Sequence, residues 1–105
     1  MATNRLEILK QMVLQDPNNS FARYGLAMEY ANSGQLGDAV AEFQTLLEHD
    51  RDYAAAYYHS GQALEKLGRV DDARTMYERG IEASTRKGDL HTRSEIEAAL
   101  NLLPI

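Results

Sequence analysis

The chain has 105 residues, of which 44% are hydrophobic, and its formal net charge is −5. This length suits one domain with a modest core, and the negative charge disfavours partners of the same sign, namely nucleic acids and anionic membranes. Cysteine is absent, which excludes disulfides and thiolate metal sites and favours a reducing compartment, so we expect a cytoplasmic protein.

The pattern of apolar residues predicts six amphipathic helices and no strand. Their expected bounds, each within a few residues, are 3–15, 20–33, 36–49, 54–67, 70–83 and 90–103. Glu7 and Lys10 interrupt the first apolar stretch, which excludes a secretory leader core or a membrane span there.

The connections between these helices carry residues that end or begin helices. Pro17 cannot continue a helix, and the Asn and Ser residues after it can cap the next one. Gly34 and Gly68 follow the second and fourth helices, where a left-handed residue is needed. We expect 84–89 to be the longest connection and the others to be very short, so consecutive helices pack antiparallel.

The chain repeats itself with a period of 34 residues, which indicates stacked helical units rather than one wound core. Small residues, glycine and bulky residues recur in matching places: Leu26, Ala27, Tyr30, Gly34, Ala39 and Phe43 correspond to Ser60, Gly61, Leu64, Gly68, Ala73 and Tyr77.

This pattern resembles the tetratricopeptide repeat, whose signature is Trp-x2-Leu-Gly-x2-Tyr, then Ala-x3-Phe, then Pro. The first unit reads Arg23-x2-Leu26-Ala27-x2-Tyr30 and Ala39-x3-Phe43; the second reads Tyr57-x2-Ser60-Gly61-x2-Leu64 and Ala73-x3-Tyr77. Tryptophan is missing, Ser60 is polar at an apolar place, and Arg51 and Thr85 stand at the two proline places.

The resemblance implies an all-α fold, a right-handed stack of antiparallel helix pairs (a TPR-like α-solenoid) with six helices in a single domain, 1–105. Residues 3–15 form a leading half-repeat helix, 20–53 the first repeat and 54–87 the second. The last helix, 90–103, matches the fourth at a step of 36, which implies two extra residues in 84–89, and it caps the stack.

In this family the first helix of each pair lines the concave face, where partners lie as extended or helical peptides. Helical spacing from the inward positions then gives the candidate partner-binding residues: Phe21, Tyr24, Met28, Tyr58, His59, Gln62, Glu65, Ser94 and Glu95. Tyr24 and Tyr58 are the strongest candidates, because tyrosine supplies large rigid contact area. The alternative interpretation is that both pack between helices as core residues.

Other chemistry is not favoured by the sequence. His49, His59 and His91 lack the paired spacing of a metal site, and Asp71-Asp72 suits the first turn of the fifth helix. No nucleophile elbow or phosphate-binding glycine loop is present, so we expect a non-enzymatic protein without cofactor. A subset of the family binds C-terminal carboxylates through cationic side chains. The corresponding groove positions here carry no positive charge, so the sequence does not favour that activity; they are Tyr24, Met28, Tyr58 and Gln62.

The sequence therefore predicts a protein-interaction module that binds a peptide or helix of a partner protein in the concave groove, with no nucleic acid and no membrane as partner. The alternative is a structural module that self-associates through its terminal helices, for example through Leu100, Leu102 and Leu103. Arg93, Glu97 and Asn101 lie at helical spacing opposite Ile96, which favours a capped monomer over a homodimer.

Overall fold

Six α-helices follow one another in the computed structural model, which describes residues 2–104, with side chains from Arg5 onward. They are α1 (Ala2–Gln15), α2 (Ser20–Asn32), α3 (Leu36–His49), α4 (Ala54–Lys66), α5 (Val70–Lys87) and α6 (Leu90–Asn101). The described residues contain no strand, which confirms the all-α prediction. Among these helices, none has both the length and the apolar character needed to cross a membrane.

The turns within the two helix pairs are closed by glycine. Gly34 and Gly68 have φ of +82° and +78°, which glycine adopts without steric cost. After each glycine a backbone N–H reaches back over the helix end: Gln35 donates to the Tyr30 carbonyl and Arg69 to the Leu64 carbonyl, both at 2.9 Å. These bonds satisfy carbonyls at the helix C-terminus, so the chain reverses within a few residues.

The predicted end of the fifth helix at residue 83 is wrong, because α5 continues to Lys87. Ser84 is fully buried, and its hydroxyl donates to the Gly80 carbonyl at 2.8 Å, which anchors the additional turn. The helix ends at Gly88, whose φ is +70°. The connection from α3 to α4 is 50–53 and that from α5 to α6 is 88–89. The two extra residues predicted for the 84–89 connection therefore belong to α5. The connection from α5 to α6 is shorter than that from α3 to α4, so the prediction that it is the longest is wrong.

Successive helices pack on one another, and three buried clusters fill the stack. One joins α1 to α2 through Val13 and Leu26, and one joins α2, α3 and α4 around Phe43. The largest joins α3, α4, α5 and α6 and includes Tyr77 and Ile96. Each cluster is shared between neighbouring elements, as expected for a stack in which a unit cannot bury its apolar face alone.

The stack curves toward one side. α4 contacts both α2 and α6, whereas no Cα atom of α3 lies within 8 Å of α5 among the described residues. A furrow of about 280 Å³ separates α3 from α5, lined by residues that include Gln44 and Arg79. We call the side formed by α2, α4 and α6 the concave face and the side with this furrow the convex face.

Candidate concave binding face

The concave face carries a continuous row of aromatic rings across α2 and α4. His59 lies between two tyrosines, with ring centroids 5.9 Å from Tyr24 and 5.1 Å from Tyr58. Tyr53, which immediately precedes α4, extends the row at 5.2 Å from Tyr24. Beneath the other end of the row lies the fully buried ring of Tyr77 from α5, 6.4 Å from that of Tyr58. Such spacings are typical of favourable aromatic pairs, so the row is a packed unit rather than separate side chains.

Tyr24, Tyr58 and His59 are half-buried. Tyr24 and Met28 pack against the cluster that contains Phe43, and the Phe43 ring lies 6.5 Å from that of His59. Both tyrosines are therefore neither fully buried between helices nor fully exposed. Their rings support the core on one side and retain exposed surface on the other.

Burial shifts the pKa of two members of this row, Tyr24 and His59. It raises the pKa of Tyr24, with a smaller contribution from Tyr53. It lowers the pKa of His59, and the carboxylate of Glu95 opposes this shift only in part. At neutral pH His59 is therefore uncharged and acts as a flat ring with one donor and one acceptor nitrogen.

A cleft of about 320 Å³ lies between α4 and α6, next to the aromatic row. It contains both apolar and acidic side chains, and its lining residues are Tyr58, Gln62, Glu65, Glu95, Ala98, Ala99 and Leu102. We call this space the α4–α6 cleft. It brings together four of the nine residues predicted from the sequence.

Two polar residues of α4 in the cleft, Gln62 and Glu65, are joined through Tyr77. Gln62 Nε2 donates to the Tyr77 hydroxyl at 2.8 Å, and that hydroxyl donates in turn to Glu65 Oε2. Burial raises the pKa of Tyr77, and the hydrogen bond to Glu65 raises it further. The phenol therefore stays protonated and keeps the Glu65 carboxylate in one position.

Two predicted residues lie apart from this arrangement. Phe21 lies in the first turn of α2 with 76% of its surface exposed, and Ser94 is exposed beside Glu95 without lining the cleft. Sequence reasoning missed other residues of this face, among them Tyr53, whose ring packs at a tilt against Tyr24, and Leu102, which lines the cleft. Leu102 follows Ala98 by four residues, a helical spacing that places both on one face and could have identified it. Tyr53 precedes α4 and offers no such signal.

Comparison with known proteins agrees with this architecture. Residues 24–87, more than half of the chain, match the sequence model of the family described as tetratricopeptide repeat. A TPR repeat-containing protein of Pseudomonas aeruginosa is 28% identical over 98 residues, which is 93% of this chain and 93% of that protein.

Solved structures show the same likeness. The solution structure of a tetratricopeptide repeat domain protein from Salinibacter ruber has a TM-score of 0.75 and 40% identity, covering 81% of this chain and 86% of that one. YrrB, described as a TPR protein with an unusual peptide-binding site, has a TM-score of 0.80 and 24% identity, covering 92% of this chain and 48% of that one. At that identity the likeness to YrrB concerns the fold.

Proposed function

The chain belongs to the tetratricopeptide repeat family, and we propose that its concave face binds an extended or helical segment of a partner protein without catalysis. Stacked helical repeats generate extended concave surfaces that serve for binding. The description of YrrB as having a peptide-binding site supports a peptide as the ligand. The absence of cysteine supports a cytoplasmic place of action.

The observation that carries the proposal is the ring contact of His59 with both Tyr24 and Tyr58. It joins residues of α2 and α4 into one half-exposed apolar surface, beside a cleft with hydrogen-bonding groups. Binding sites combine apolar area with a few placed polar groups, and aromatic residues dominate binding energy at interfaces. A segment with apolar side chains would pack on the row and direct a polar group into the cleft.

The test is selection of peptides from a random display library on the folded protein, followed by mapping of the bound peptide by amide chemical shifts. We expect the shifts to concentrate on α2, α4 and α6. We also expect Tyr58→Ala to weaken binding at least about tenfold, because interface tyrosines are frequent hot spots. Gln44→Ala, in the convex furrow, is the matched control and should leave the affinity unchanged. Shifts confined to α1 or to the convex face would contradict the proposal.

A second candidate function is self-association through the terminal helices, and one observation favours it. The N-terminal helix exposes apolar side chains, including Ile8 at 59% and Leu14. At the other end Leu103 is buried and Leu100 half-buried, so of the three predicted leucines only Leu102 is fully exposed, and Arg93 pairs with Glu97 on α6 at 3.6 Å. Mass in solution over a range of concentrations distinguishes the candidates: a concentration-dependent dimer that Ile8→Lys abolishes would support self-association, and a constant monomer would contradict it.

A further inference from the structure

The α4–α6 cleft presents two carboxylates from different helices. Glu65 belongs to α4 and Glu95 to α6, and the residues that line the cleft include no lysine, arginine or histidine. Resting on the proposed function above, we infer that this cleft selects a lysine or arginine side chain of the bound segment, next to an apolar residue that packs on the aromatic row.

The position of Glu65 suits it to recognise a cation. Tyr77 donates to its Oε2, and Gln62 donates to the Tyr77 hydroxyl, so the carboxylate is held by a chain of two hydrogen bonds. The bond engages one of the two carboxylate oxygens, and each oxygen can accept more than one hydrogen bond. Because the acceptor is already ordered, a cation binds it without the full cost of fixing a glutamate side chain.

Glu95 is held only weakly by its present partner. His91 Nε2 lies 3.5 Å from Glu95 Oε1, and the His91 side chain is 87% exposed. The contact is long and lies in solvent, and exposed pairs of this kind contribute little. A guanidinium or ammonium of a bound segment can replace His91 at this carboxylate.

The rest of the cleft fits the remainder of a basic side chain. Lysine and arginine combine an apolar stem with a charged end. Ala98 and Ala99 offer a small apolar wall for the stem, and Leu102, 85% exposed, adds surface at the mouth. The Tyr58 ring borders the same space and can pack against a cationic group. An acidic segment would meet like charge on both sides of the cleft.

The experiment uses a peptide obtained from the library selection above and its synthetic analogue in which the basic residue is replaced by norleucine. We expect selected peptides to carry lysine or arginine next to an apolar residue, and the analogue to bind at least about tenfold more weakly. Glu65→Gln with Glu95→Gln should cause a similar loss while keeping an acceptor for Tyr77. The control is Glu48→Gln with Glu82→Gln, which makes the same change in net charge but on α3 and α5, away from the cleft. Its dissociation constant for the peptide should stay within about twofold of the wild-type value.

A charge reversal sharpens the test. Glu95→Lys should shift the preference toward a peptide with glutamate in place of its basic residue. Equal binding of the norleucine analogue, or an unchanged dissociation constant in the Glu65→Gln, Glu95→Gln variant, overturns the inference about the cation. The proposed function would survive that result if amide shifts still mapped to α2 and α4. A selection that yields no peptide bound to the concave face overturns both.

Discussion

Gly61 lies directly against the ring of Tyr77, so closely that an ideal Cβ on Gly61 would be 2.2 Å from Tyr77 Cε1. Real Cβ atoms do not approach other atoms to this distance. The missing side chain lets α4 and α5 pack with the ring between them. It also places the Tyr77 hydroxyl beside Gln62 and Glu65. One contact therefore serves both the packing of the helix pair and the geometry of the α4–α6 cleft.

Gly61→Ala should lower the free energy of unfolding by about 1–3 kcal/mol, because added bulk in a packed contact forces displacement. Gly61→Leu should be worse still. Helix propensity alone would make Gly61→Ala stabilising, because alanine is favoured over glycine in a helix by about 1 kcal/mol. A net loss of stability would therefore come from the contact with Tyr77. Gly37→Ala in α3 is the matched control, since a Cβ there meets no atom within 4 Å, and it should stabilise the protein. Urea unfolding of the variants measures the differences; equal effects at Gly61 and Gly37 would show that the Tyr77 contact is not tight.

Much of the fold could be predicted because the repeat places small and bulky residues in phase. Ala39 and Ala73 are fully buried, as are Phe43 and Tyr77 four residues later in each unit. The end of α5 could not be predicted in this way. Arg51 and Thr85 both stand at proline places of the family signature, yet α3 ends at His49 and α5 continues to Lys87, so the signature does not distinguish the two helix ends. The buried Ser84 hydroxyl donates a hydrogen bond to the Gly80 carbonyl of the same helix, and the periodicity of the sequence does not reveal this bond.

The candidate site was predictable only where it follows helical spacing. The inward positions of α2 and α4 predicted Tyr24, Tyr58 and Gln62 on the concave face. The part played by Tyr77 could not be predicted, because spacing identifies it as core filling and says nothing of where its hydroxyl emerges. Tyr77 is fully buried. Its hydroxyl nevertheless forms hydrogen bonds with two cleft residues of α4, Gln62 and Glu65.

Ser60 and Ser84 form a natural pair for testing the cost of a buried hydroxyl. Both are fully buried, but Ser84 Oγ donates to the Gly80 carbonyl, whereas Ser60 Oγ has no partner among the described residues. An unsatisfied buried polar group costs about 1–3 kcal/mol. Ser60→Ala should therefore raise the free energy of unfolding by about 1 kcal/mol, and Ser84→Ala should lower it by about 0.5–1.5 kcal/mol, the net value of a hydrogen bond. Chemical denaturation measures both, and equal shifts would show that Ser60 is hydrogen-bonded in solution.

Arg23 stands at the tryptophan place of the first repeat and is held by two oxygen atoms. It donates to Glu42 Oε2 at 2.7 Å and to the Pro17 carbonyl at 3.1 Å, in a largely buried setting. Arg23→Met keeps the apolar stem but removes both bonds, and a hydrogen bond involving a charged group contributes about 1.5–3 kcal/mol. We expect a loss of that order in urea unfolding. Arg69→Met, at the exposed pair with Asp72, should change stability by less than about 1 kcal/mol. Comparable losses would show that burial adds nothing to the Arg23 pair.

The lowered pKa of His59 predicts how the stability of the protein depends on pH. Burial among the aromatic rings disfavours the charged imidazole, and Glu95 offsets this only partly. The unfolded chain, with a histidine pKa near 6.5, therefore binds this proton more readily than the folded protein does, so stability falls as pH drops below about 6.5.

His59→Gln should flatten the dependence of the melting temperature on pH between about 6.5 and 5, where carboxylates are still largely ionised. His49→Gln, at an exposed site in α3, should leave the wild-type slope in place. Parallel curves for wild type and His59→Gln would mean that His59 is solvated in solution and that the row from Tyr24 to Tyr58 is open at its centre.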